Sequence, residues 1–104
     1  MKTTLRLAAV GMLVGFVGTA AAGGDPAAGE QKAKACAGCH GEKGISSSPQ
    51  NPSLAGQHEQ ALYDSMMAYK EGKRDHPAMK AFVAPLSEQD IADLAAFYAS
   101  QPCK

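Results

Sequence analysis

Cys36-Ala37-Gly38-Cys39-His40 is the stretch on which the reading of this chain turns. Two thiols stand about one helical turn apart and an imidazole follows at once. A thioredoxin-like redox pair has this cysteine spacing but asks for a βαβ setting. A zinc site could use Cys36, Cys39 and His40 and then needs a fourth ligand; Cys103, His58 and His76 are available, without paired spacing. A chance pentapeptide is the bland alternative. C-x-x-C-H is also the pattern of c-type haem attachment. The spacing suits it. Two thiols a turn apart can add to the vinyl groups on neighbouring porphyrin edges, and the adjacent histidine then offers its imidazole to the iron.

The residues around the pentapeptide favour haem. N-terminal to it, Lys2 and Arg6 precede an uncharged run of 16 residues, 7 to 22, which closes on Ala20-Ala21-Ala22. This reads as a signal peptide over residues 1–22, cut after Ala22, because the run holds three glycines and falls short of the roughly 20 residues that cross a bilayer. Export is therefore expected, with no stable membrane insertion after cleavage. One domain, residues 23–104, remains. Its 82 residues (104 minus 22) contain no Trp, and much of its apolar content is alanine. Chains this small commonly recruit a metal, a cofactor or a disulfide set. Three cysteines do not make a disulfide framework.

The whole chain balances 10 basic against 10 acidic residues, and loss of Lys2 and Arg6 leaves 8 against 10, a net −2. With no basic stripe, nucleic acid is a poor partner.

Helical grammar covers the remainder. Asp25-Pro26 reads as an N-cap with proline at the first helical position, opening a helix from Pro26 to Ala35 that leads into Cys36. Gly44 to Pro52 is loop. Leu62, Met66 and Tyr69 form one face of a helix from Gln57 to Glu71, stopped by Gly72. Arg74 to Pro85, broken by Pro77 and Pro85, reads as irregular. In the last helix Ser87 and Asp90 make a capping box, Leu86 and Ile91 are placed as a staple, and Ile91, Leu94, Ala95 and Tyr98 form the buried stripe before Pro102. No segment alternates as a strand. The fold class is all-α.

A second iron ligand is sought in the Pro-flanked segment. Met79 is the first choice, because an irregular segment lets a side chain reach inward free of helical packing. Met66 reads as core filling, Met67 as partly exposed, and Met12 leaves with the leader. His76, three residues before Met79, is the rival. A thioether favours ferrous iron, so a His/Met pair raises the potential above that of a His/His pair and fills the sixth position.

These residues resemble class I cytochromes c, and among them one haem domain of the two-haem, c-four-type bacterial cytochromes. The likeness covers Gly24 to Ser100. It is carried by Gly24-Asp25-Pro26-Ala27-Ala28-Gly29, the pentapeptide, Asn51-Pro52-Ser53-Leu54-Ala55-Gly56-Gln57, and Pro85-Leu86-Ser87 leading into Asp90-Ile91-Ala92-Asp93-Leu94-Ala95-Ala96-Phe97-Tyr98. The resemblance implies a small cytochrome c fold with three main helices around one covalently bound haem c. It implies thioethers at Cys36 and Cys39, His40 as proximal ligand and Met79 as distal ligand. It also implies a Pro52 carbonyl that accepts from the proximal imidazole, and Gly29 at a crossing of the first and last helices against Phe97 or Tyr98. Arg74, Tyr63 and Gln57 are candidates to meet the propionates. The chain departs from the family in having one haem motif and in His76-Pro77 where Asp-Pro is commoner.

The expected function is a periplasmic one-electron carrier that shuttles between redox protein partners and is not an enzyme. The alternative is an electron-transfer subunit of a periplasmic oxidoreductase complex. A haem-based ligand sensor would need a vacant sixth position. Cys103 is read either as a free tail thiol or as the link of a covalent dimer.

Overall fold

The computed structural model describes residues 23–103, so the expected leader lies outside the described residues. Five helices occur in the order α1 (Pro26–Lys32), α2 (Ala37–His40), α3 (Glu59–Glu71), α4 (Pro77–Val83) and α5 (Glu88–Ala99). A 3-10 turn over Ala33–Ala35 joins α1 to α2. No strand occurs among the described residues, and no helix there is long and apolar enough to cross a membrane.

Local chemistry sets the ends. The Asp25 carboxylate accepts from the Ala27 N–H at 3.0 Å, and Pro26 occupies the first helical position. The expected single helix to Ala35 tightens after Lys32 into the 3-10 turn. Gly72 closes α3 in the left-handed region, φ +79°, where a Cβ would be strained. The capping box is complete: Asp90 N–H donates to Ser87 Oγ at 3.0 Å, and Ser87 N–H donates to Asp90 Oδ2 at 2.9 Å.

The core is built on α5. Ile91, Leu94, Ala95 and Tyr98 are all buried, as the stripe predicts, and α1 and α3 both pack against this helix. Leu62 from α3 and Ala33 from the 3-10 turn fill the same cluster, with Met66 packed at its edge. The α1–α5 crossing depends on Gly29. A Cβ there would run into the backbone oxygen of Asp93 and approach the Phe97 Cβ to 2.8 Å.

One expectation is corrected. Residues 77–83 inside the supposedly irregular segment form α4. His76 and Pro77 repeat the grammar of Asp25 and Pro26: a side-chain acceptor at the N-cap, then proline where its missing N–H costs nothing. Pro77 starts a helix here instead of breaking one.

Candidate haem site

His40 closes α2 and is 7% exposed. Its Nδ1 lies 2.9 Å from the Pro52 carbonyl oxygen. A carbonyl can only accept, so Nδ1 carries the proton and Nε2 is left with a lone pair. The contact expected from the resemblance is therefore present, and it fixes both the tautomer and the ring orientation.

A cross-tied loop delivers the Pro52 carbonyl. Gly41, at φ +84°, turns the chain out of α2, and a Cβ there would strike the Ile45 carbonyl. The Gly44 carbonyl accepts from Leu54 N–H at 2.6 Å and from Ala55 N–H at 3.0 Å; Gly56 N–H donates to Tyr98 O at 3.0 Å. These bonds pin residues 41–56 to the end of α5.

Cys36 is half-buried against the core and Cys39 is exposed, and the two are not joined in a disulfide. Burial pushes the Cys36 thiol upward, opposed by the Tyr98 hydroxyl and reinforced by Cys39. An activated redox dithiol shows the opposite, a depressed thiol. Among the described residues no group of three or more His, Cys, Asp or Glu side chains is placed to hold a metal ion, so Cys36, Cys39 and His40 do not gather as a zinc site would require.

Met79 is the third residue of α4 and is half-buried, four positions before the buried Val83, so one face of α4 turns both inward. It lies close to His40. Helical packing does constrain it, contrary to the expectation. His76 is exposed, and its Nδ1 accepts from the Met79 N–H at 3.3 Å. The three propionate candidates each engage a neighbour: Arg74 covers the Tyr69 ring at 4.6 Å, Tyr63 reaches Glu88 Oε1 at 3.5 Å, and Gln57 donates to Ser53 O at 2.6 Å.

Tyr98 is expected from the stripe but its hydroxyl is not, and Asp93 and Lys70 give two further contributors. Tyr98 is 1% exposed and its hydroxyl makes no hydrogen bond, although the Cys36 thiol is near enough to interact with it. Asp93 is a buried carboxylate between α1 and α5. Lys70 ties α3 to the end of α4. Asp93 carries no local signal, since its cationic partner Lys32 is 61 positions away. Lys70 carries none either.

The donor set fits a haem. One imidazole nitrogen is held ready, two cysteines stand at the start and within the same short helix, and a thioether lies nearby. The two exposed large hydrophobics among the described residues are Ile45 at 43%, in the loop that delivers the Pro52 carbonyl, and Phe82 at 52%, on α4 with Met79. Residues 26–101 match the cytochrome c family model. The chain belongs to the cytochrome c family. That family's domain binds covalently attached haem c and carries electrons. The chain is 47% identical over 90 residues to cytochrome c4 of Pseudomonas aeruginosa, covering 86% of this chain and 45% of that one. It is 43% identical over 81 residues to cytochrome c-554(548) of Halomonas halodenitrificans, covering 75% and 98% respectively. The crystal structure of reduced recombinant cytochrome c4 from Pseudomonas stutzeri superposes with a TM-score of 0.73 at 38% identity, over 76% of this chain and 46% of that one. The chain thus spans about half the length of these cytochromes c4 and nearly the whole length of the c-554(548) protein.

Proposed function

We propose that this chain is a periplasmic one-electron carrier, with haem c joined to Cys36 and Cys39 and its iron held by His40 and Met79. The observation that carries the reading is the His40 Nδ1 to Pro52 contact of 2.9 Å, which leaves Nε2 as a ready iron donor. When bound, the iron supplies one-electron exchange. The chain's residues supply attachment, orientation and a closed coordination sphere. Redox protein partners would dock weakly, with charge complementarity acting on association rate.

The deciding measurement is the absorption spectrum of the oxidised holoprotein, which should carry the weak far-red band of sulfur ligation. Met79→Ala should abolish that band and Met66→Ala should keep it. Retention in Met79→Ala would overturn the ligand assignment. Intact mass of exported protein tests removal of residues 1–22. Migration without reductant tests a covalent dimer through the exposed Cys103 thiol. Co-elution of the native protein with a larger catalytic chain would defeat the freely diffusing carrier.

A further inference from the structure

Both ends of α4 are tied, the first by its own N-cap and the second by the last turn of α3. At the N-terminal end, His76 Nδ1 accepts from the Met79 N–H at 3.3 Å. The His76 ring meets Tyr69 edge-on, with centroids 5.9 Å apart and planes at 74°. Arg74 covers Tyr69 at 4.6 Å and reaches Ser65 Oγ at 3.4 Å. At the other end, Lys70 Nζ donates to the carbonyl of Ala84, the residue that caps α4, at 2.8 Å, and to that of Leu86 at 2.7 Å. α4 packs chiefly against α3. A seven-residue helix has little stability of its own, so its placement depends on such ties.

We propose that His76, which caps α4 at its own N-terminus, and Lys70, which holds the far end of α4 from the end of α3, are positioning residues that keep α4 closed and so govern how readily an external donor displaces the Met79 sulfur from the iron. This rests on the reading of Met79 as the axial ligand. For a donor to enter, Met79 must swing away, and the helix that carries it must open. Unwinding the first turn of α4 breaks the His76 cap, and lifting α4 from α3 breaks the two Lys70 bonds. Weakening either tie raises the open population, and apparent affinity for the incoming donor rises by the same factor. His76 thereby takes the role that aspartate could fill equally well, a side-chain acceptor ahead of Pro77.

The test is an imidazole titration of the oxidised holoprotein, followed by loss of the far-red sulfur band. His76→Ala should lower the half-saturating imidazole concentration about fivefold, the usual effect of losing an N-cap. Lys70→Ala should act in the same direction. His76→Asp should restore the behaviour of the parent. Asp93→Asn, which weakens the α1–α5 contact away from α4, should leave the titration unchanged. Affinities for His76→Ala and Lys70→Ala within about twofold of the parent would overturn the clamp, as would His76→Asp behaving like His76→Ala. Failure of the ligand assignment looks different: Met79→Ala would then keep the sulfur band before any imidazole is added.

Discussion

Lys32, at the end of α1, reaches Asp93 in α5, with Nζ 2.5 Å from Oδ2. The same carboxylate accepts from the Asp25 N–H and from Gln89 Nε2, each at 2.8 Å on Oδ1. One buried side chain therefore ties the start of α1, its end and a turn of α5 together. Asp93→Ala should destabilise the holoprotein by about 2 kcal/mol, because it removes the hydrogen bonds from the Asp25 N–H and Gln89 together with the charge-assisted bond from Lys32. Chemical denaturation measures it, and a change near zero would show that water replaces the carboxylate.

Acid should loosen the same crossing. Asp90 is held down at about 2, first by the Ser87 N–H and then by Lys32. For Asp93, burial alone would raise the carboxyl, but Lys32, the Asp25 N–H and Gln89 together outweigh it and the net shift is downward. Both folded values lie below the ordinary 3.8, so the stabilisation is fully present above that pH and is lost as pH falls toward 2. Denaturation midpoints across that range should drop, and less steeply in Asp90→Asn.

Gly29→Ala should cost about 3 kcal/mol, since the new Cβ would meet the Asp93 backbone, which cannot rotate aside. A lowered melting temperature checks it. An unchanged one would mean that α1 can slide along α5.

Tyr98→Phe should be neutral or should stabilise by about 1 kcal/mol, because the hydroxyl is buried without a hydrogen-bond partner. Thermal melting of the holoprotein decides. A clear loss of stability would identify the Cys36 sulfur as an effective acceptor.

Much of this architecture was legible in local sequence because its signals are local. Asp25-Pro26, Gly72 and the Ser87–Asp90 box each act within a few residues of themselves, and the stripe through Ile91, Leu94, Ala95 and Tyr98 has one period. The pentapeptide is equally self-contained. The misreading at Pro77 came from taking proline only as a terminator, when a preceding side-chain acceptor turns it into a helix start. Asp93 was hidden for another reason. Its cationic partner is 61 positions away, and no local pattern distinguishes a clamped carboxylate from a solvated one. Lys70 also belongs to this class, since its partners are carbonyls created by the end of a helix that was not expected.

The α1–α5 crossing has a consequence for the order in which the molecule is assembled. As the polypeptide emerges N-terminus first, residues 36–40 come out long before α5 exists to pack on them. The two sulfhydryls and the imidazole thus stay open until the last helix docks, and its arrival covers Cys36.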